Sequence, residues 1–499
     1  MYCLRRLAKL TLTPESTTRI LLPVKRILLI NSNSCRVPYP VAPLGLCMLA
    51  SAIENTFDVA VYDGTFNGGE GLSEAIRTFQ PDIVGVSVRN VDDMVPRNGT
   101  HFLDGVLREF ITPVKAATHA PLILGGSAFS LYPTHLLDAF GADWGVVGEG
   151  EKAFPELLSY LAAGKDPSDI PGVAGWKDGR VFVNPPRCET GRLSPPRADV
   201  DLHIDFDPYR RLSSYPVQAR RGCTHGCIYC TYPAVEGRAY RLRDPADIAA
   251  EIAEASARLP GITFEFVDST FNDPPGHAEA ICREIVKAAP GVRLRTMGIN
   301  PGGVNAELLD GMKAAGFAQI DCTPDSASPR MIKTMGKNFT HTELVRAARL
   351  IREHRMPTVW FFLFGGPGED ESTIEETLAF IDQEVDSDDL VLMGMGLRIY
   401  PGTPLQRIAL REGVIGAGDD LVAQTFYVAP LLGSQGLLER LDKAASTRPN
   451  CLPPGENTPS PEMMRQAMEL RVRDGLAEPM FRTLLRLRRL WPRFGGTGA

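Results

Sequence analysis

The sequence predicts an α/β protein in which a flavodoxin-like doubly wound domain precedes a complete or partial parallel β/α barrel and a helical carboxyl-terminal segment. Three observations carry this expectation. Short apolar runs alternate with amphipathic stretches in two separate series. A proline-punctuated stretch without periodicity divides the two. The chain is also, at 499 residues, too long for one ordinary core.

In the first series, assigned to residues 25–160, the runs Arg26–Ile30, Val59–Tyr62, Asp82–Val88, Pro121–Gly126 and Trp144–Gly148 read as buried strands, with helical patterns such as Leu44–Glu54 between them. Strict alternation of strand and helix means a parallel sheet covered on both faces. From Asp166 to Pro208 the pattern breaks at Pro167, Pro171, Pro185, Pro186, Pro195, Pro196 and Pro208, so residues 161–212 are assigned as the connection, with a small hairpin from VAGW and RVFV within it. The second series, residues 213–405, offers PVQAR, Ile262–Val267, Arg293–Met297, Ala318–Thr323, Thr358–Gly365 and Leu390–Ile399 as strands. Six βα units predict a parallel barrel with its chemistry at the carboxyl ends of the strands. Residues 406–499 read as helical with a proline-rich break at Cys451–Pro461. The final FRTLLRLRRLWPRF is basic and amphipathic, read as a helix capping the barrel, with weak membrane-surface contact as the alternative.

Hydrophobic residues at 44% and charged residues at 23% give a globular balance. A net charge of −7 provides no global attraction to nucleic acid, and none is expected as a partner. No apolar run approaches the roughly 20 residues needed to cross a bilayer. Residues 1–24 are basic but lack a long apolar core or a clear cleavage site, and read as an extension rather than a targeting peptide. Cys3, Cys35, Cys47, Cys188, Cys282, Cys322 and Cys451 show no framework spacing, as expected in a reducing cytoplasm.

The remaining three cysteines are different. RRGCTHGCIYC places Cys223, Cys227 and Cys230 in one eight-residue loop after the first barrel strand. Thiolates spaced so closely can converge on one centre, and soft sulfur selects an iron–sulfur cluster or zinc. A four-iron cubane on three cysteines leaves one iron able to chelate a small molecule; a zinc site would take His225 as its fourth ligand.

CTHGCIYC, with Tyr229 just before the third cysteine, resembles the signature of the radical S-adenosylmethionine (SAM) superfamily. The resemblance implies a [4Fe–4S] cluster on Cys223, Cys227 and Cys230, cleavage of SAM to a 5′-deoxyadenosyl radical, and an external low-potential electron donor. It extends over roughly residues 217–405. GFAQIDCTPDSASPRMIKTMGK resembles the fourth-strand segment and gives Asp325, Ser326 and Ser328 the polar places facing SAM, although Pro324-Asp325 stands where Ile-Glu is common. A turn-and-cap role is the alternative for these residues. FFLFGGPGED matches the glycine-rich end of the fifth strand, where Gly365, Gly366 and Gly368 would let backbone approach the methionine part of SAM. Arg398 opens RIYPGTPL, similar to the segment that passes the adenine. FEFVDSTFN is similar to the second-strand segment of the cobalamin-linked branch, with Asp268 as either a loop cap or a site residue.

The first domain resembles the cobalamin-binding domain that precedes many radical SAM barrels. Shared features are Pro43-Leu44-Gly45-Leu46 after strand one, Gly125-Gly126 after strand four and Gly148-Glu149-Gly150-Glu151 after strand five. The resemblance assigns Gly125, Gly126, Glu149 and Gly150 to cobalamin. Asp-x-His-x-x-Gly is absent from this domain, and the nearest string, Asp201-Leu202-His203, lies in the connection. Histidine-on binding is therefore not expected. Arg89 or Asn90, directly after strand three, is best placed to approach the lower face of cobalt.

The expected activity is cobalamin-dependent methylation of an unactivated carbon, one SAM methylating cob(I)alamin and another yielding the radical. A cobalamin-dependent cyclisation or rearrangement without methyl transfer is the first alternative. A corrinoid sensor or carrier with a structural cluster is the second. A methylthiotransferase is disfavoured, since the chain lacks the three-cysteine amino-terminal cluster domain and an RNA-binding tail. Small-molecule, peptide and lipid substrates all remain open.

Overall fold

The computed structural model describes residues 24–36, 39–96, 99–187, 189–456 and 459–490. The amino-terminal extension up to residue 23, Cys3, Cys188 and the last nine residues of the basic tail lie outside them. The described chain forms two compact units. One comprises residues up to 93, 101–216 and 234–237; the other comprises 94–100, 217–233 and the chain from 238 onward.

In the first unit β1 (Arg26–Asn31), β2 (Asp58–Asp63), β3 (Ile83–Ser87), β4 (Leu122–Gly125) and β5 (Trp144–Val146) are the five strands expected, ordered β2-β1-β3-β4-β5 in parallel. β1 is buried at every position after Arg26, which is why an uninterrupted apolar run encodes it: the central strand is covered on both faces. Ile27, Leu29, Leu46, Ile83, Phe154 and Leu157 belong to one core. The hairpin assigned to the connection is part of this sheet, since β6 (Val173–Lys177) pairs antiparallel with β5, and β7 (Arg180–Val183) with β6. Tyr209, further along that stretch, is buried and donates to Asp63 Oδ2 at 2.7 Å. Prolines mark irregular backbone, but Val173, Ala174, Val200, Phe206 and Tyr209 of this stretch are buried.

The second unit carries β8 (Tyr215–Val217), β9 (Thr263–Phe266), β10 (Arg293–Ile299), β11 (Phe317–Asp325), β12 (Thr358–Phe364) and β13 (Leu390–Met395) side by side in chain order, with β14 (Cys451–Leu452) beyond β13. β9 to β14 pair in parallel. Four of the helices between them start on side-chain caps: Asp244, Asn305, Thr340 in a capping box with Glu343, and Asp370 with Thr373. The expected sixth strand ends early. Gly396, at φ +72°, breaks it after Met395, and Leu397–Arg398 pairs antiparallel with Phe426–Tyr427. Trp360 and Phe362 face one side of β12 and are buried, while Val359 and Phe361, on the other, meet Phe481 and Leu485 of the helix Met480–Leu490. That helix is also tied by Arg482, which donates to Asp389 Oδ1 at 3.2 Å. Among the described residues no helix is long and apolar enough to cross a membrane.

Candidate active site

The cysteine loop leaves β8 on a polar scaffold. Asp268, buried just after β9, accepts from the backbone N–H groups of Ala219 at 2.9 Å and Arg220 at 2.8 Å. The Arg220 guanidinium, also buried, donates to the Thr270 carbonyl at 2.7 Å and to the Gly222 carbonyl, immediately before Cys223. Asp268 is thus a loop cap here. Burial pushes its carboxyl up to about 6, although Arg220 and the two N–H groups pull the other way.

Within the loop Cys230 N–H donates to the Cys227 carbonyl at 3.3 Å, and Ile228 is pinned from both sides. Its N–H donates to the Met335 carbonyl at 3.1 Å, and its carbonyl accepts from Leu405 N–H at 2.9 Å. All three cysteines are free thiols, Cys223 buried and the other two partly so. Burial pushes Cys227 up and Cys230 up to about 12, and each thiol feels the charge of the other two cysteines or of one of them. Loading a metal centre here must therefore displace protons.

His225 is not poised as a fourth ligand. Its Nε2 lies 3.2 Å from Asp273 Oδ2, 3.0 Å from the Tyr240 hydroxyl and 3.2 Å from Asn338 Nδ2. Among the described residues no three His, Cys, Asp or Glu side chains gather tightly enough for a single metal ion. A cubane needs only the three thiolates, so with His225 engaged elsewhere the donor set suits it better than mononuclear zinc.

Around the loop, Asp325 sits at a register shift between β11 and β12 with φ +63°, which turns its side chain out of the strand pattern. Its Oδ2 accepts from the Tyr229 hydroxyl and from Lys337 Nζ, the latter at 2.7 Å. Ser326 Oγ lies 3.1 Å from Thr377 Oγ1 and accepts from Ser328 N–H at 3.1 Å, so it shapes the turn. Ser328 stands at the start of the helix Pro329–Thr334, yet its hydroxyl caps nothing and is buried without a partner. That hydroxyl is available to a bound group.

After β12, Gly365 has φ +96°, and a Cβ there would lie 2.9 Å from Leu437. At Gly366 a Cβ would meet Met331 at 2.8 Å, whereas at Gly368 nothing lies within 4 Å. Backbone conformation favours glycine at 365 and at 368, where φ is +76°; Gly366 is set by close packing on Met331, and Gly368 borders open space. Glu369, which the sequence reading passed over, holds this turn: one carboxylate oxygen accepts from the N–H groups of Gly365 and Gly366, and the other is buried without a partner. Burial pushes its carboxyl up to about 7. Arg398 is buried, and its guanidinium donates to the carbonyls of Ile399 at 2.7 Å and Leu421 at 2.9 Å. Those donors are spent on the 421–425 loop.

In the first unit the carboxyl end of the sheet is lined by small residues. Gly126 has φ +96°, and a Cβ would lie 2.5 Å from the Val88 carbonyl; at Gly150 it would meet Leu49 at 2.9 Å. Gly125 is half-buried, Glu149 precedes the helix Gly150–Ala162 without capping it, Asn90 is half-buried and Arg89 is exposed. Asn33, on the connection after β1, is buried with an unpartnered Nδ2, a donor the sequence reading missed. Glycines after β4 and β5, with a buried amide donor after β1 at the switch between β1 and β3, fit a broad, amide-rich ligand such as a corrin. His203 Nε2 lies 2.9 Å from Ser51 Oγ, in the last turn of the helix Leu44–Ile53. That helix runs back from the carboxyl end of β1, so His203 sits toward the opposite end of the sheet.

Two parallel α/β units, one with a glycine-lined sheet end and one presenting three cysteines after its first strand, define a two-domain metallocofactor protein. Residues 217–381 match the radical SAM superfamily and residues 35–158 match the B12 binding domain. The chain thus carries a radical SAM domain preceded by a B12-binding domain. It is 28% identical to the tryptophan 2-C-methyltransferase of Streptomyces laurentii, over 75% of this chain and 73% of that one. Its fold is similar to that of the radical SAM methyltransferase TsrM from Kitasatospora setae, solved with cobalamin and a [4Fe–4S] cluster bound, with a TM-score of 0.79, 24% identity and coverage of 94% and 99% of the two chains. The cobalamin-dependent radical SAM enzyme OxsB gives a TM-score of 0.70 at 16% identity, over 98% of this chain and 76% of that one.

Proposed function

We propose that this chain is a cobalamin-dependent radical SAM methyltransferase acting on an unactivated carbon of a small molecule. The observation that carries the reading is the pairing, in one chain, of the three-cysteine loop at the mouth of the parallel barrel with a B12-binding sheet, matched over about three quarters of its length by a carbon methyltransferase. When bound, the cluster with SAM would supply a radical and cobalamin a methyl group.

The chain's own residues do the holding. Cys223, Cys227 and Cys230 would ligate three irons, leaving the fourth to SAM. Asp268 and Arg220 fix the loop that presents them. Ser328, with its unpartnered hydroxyl, and Gly368 would border SAM, and Glu369 holds the glycine turn. In the first unit Asn33, Gly125, Gly126, Glu149 and Gly150 would contact the corrin, with Arg89 or Asn90 toward its lower face. Free thiols throughout the described residues and an oxygen-sensitive cluster fit a reducing, cytoplasmic setting with a low-potential electron donor.

The test is anaerobic reconstitution followed by turnover with a low-potential reductant, offering tryptophan first. About four irons and four sulfides per chain are expected, with S-adenosylhomocysteine and 5′-deoxyadenosine formed in similar amounts and a methyl mass gained by the substrate. Cys223→Ala, Cys227→Ala and Cys230→Ala should abolish SAM cleavage, and Cys282→Ala should not. Formation of 5′-deoxyadenosine with an unmethylated, altered product would replace methyl transfer with rearrangement.

A further inference from the structure

Lys337 follows the helix Pro329–Thr334 and is nearly inaccessible, its side chain 8% exposed. Its Nζ donates to Asp325 Oδ2 at 2.7 Å and lies 3.4 Å from the Thr323 carbonyl and 3.5 Å from the Tyr229 hydroxyl. Backbone contacts bring this turn to the cysteine loop: Ile228 N–H donates to the Met335 carbonyl, and the Gly336 backbone lies against Gly226. Burial alone would drive the Lys337 ammonium toward neutrality. The Asp325 carboxylate against which it is paired opposes that and keeps the ammonium charged. A buried ammonium paired with a buried carboxylate therefore stands beside Tyr229, the residue next to Cys230, in a turn that packs on the cysteine loop.

Three thiolates on a cubane make a buried anion, and each electron added makes it more negative. Such a charge is unfavourable away from water unless a cation offsets it. Net charge is also one of the levers that set an iron–sulfur potential. We propose that Lys337 is a tuning residue that raises the reduction potential of the cluster on Cys223, Cys227 and Cys230, with Asp325 as its counterweight. This rests on the cluster reading above. If the Lys337–Asp325 pair served only to hold the left-handed turn at Asp325, removing either partner would loosen the turn in the same way. The tuning role demands opposite signs.

The experiment uses the full-length, anaerobically reconstituted protein without SAM: iron and sulfide are counted first, then the midpoint is read by redox titration followed by electron paramagnetic resonance. Lys337→Met should move the midpoint to more negative potential, Lys337→Arg should leave it near wild type, and Asp325→Asn should move it to more positive potential. Should Lys337→Met not assemble, Lys337→Gln removes the same charge and, with Asp325→Asn, carries the same comparison. Charge-removing variants at 337 with full iron and an unchanged midpoint would overturn the proposal. So would shifts of the same sign at 325 and 337. A wild-type protein that gathers no four-iron cluster overturns the underlying reading as well, and the iron count tells that failure apart.

Discussion

Replacing Gly336 by alanine would push a methyl group into the backbone of the cysteine loop. Gly336 has φ +70°, and a Cβ there would lie 2.3 Å from the Gly226 carbonyl oxygen and 3.0 Å from its carbon. Two costs follow. The left-handed backbone conformation itself costs an alanine roughly 1 kcal/mol. Relieving the overlap requires the loop or the turn to move by about 1 Å, at about 1–3 kcal/mol more, because the obstacle is backbone and cannot rotate away. Gly413 separates the two. It has the same φ of +70° and nothing within 4 Å of its Cβ position, so Gly413→Ala carries only the conformational cost. Thermal denaturation of apoprotein should rank wild type, Gly413→Ala and Gly336→Ala in falling order. After anaerobic reconstitution, only Gly336→Ala should lose iron and sulfide, since only there does the displaced atom adjoin Cys227. Wild-type iron content in Gly336→Ala, or equal losses of stability in both variants, would refute the reasoning.

Other outcomes follow from the same geometry. Glu369 is held at about 7 against an ordinary 4.5, so the folded state binds its proton more tightly. That contribution, at most roughly 3 kcal/mol, is complete below about pH 4.5 and lost as pH rises through 7. Apoprotein melting between pH 5 and 8 should therefore fall more steeply for wild type than for Glu369→Gln, and parallel profiles would contradict the assignment. For the corrin, cob(II)alamin bound to the full-length protein should give a paramagnetic resonance spectrum without axial-nitrogen splitting, because His203 is turned to Ser51 and Arg89 stands exposed after β3. A clear nitrogen triplet would mean that a histidine or the cofactor's own base ligates cobalt.

Local sequence was enough for the architecture and for the candidate metal ligands. Buried parallel strands must be continuous apolar runs, so RILLI, DIVGVSV and TVWFFLFG announce themselves without any partner in view. Three cysteines within eight residues likewise need no fold to be recognised as a centre. The rest depends on which residues distant in sequence meet, and no local pattern encodes that. Proline spacing marked residues 161–212 as a connection, yet β6 and β7 extend the first sheet and Tyr209 reaches Asp63, because strand pairing and burial are decided by the partner surface. Arg398 carries a family-like position, but its guanidinium is drawn to carbonyls that only the fold brings near it. Lys337 and Glu369 gave no signal at all in the sequence. A lysine after a helix and a glutamate before one are ordinary surface residues until tertiary packing removes the water around them. Their charges then act on whatever lies beside them, here the cysteine loop and the glycine turn. Sequence determined the chemistry available to this protein; burial decided which side chains would govern it.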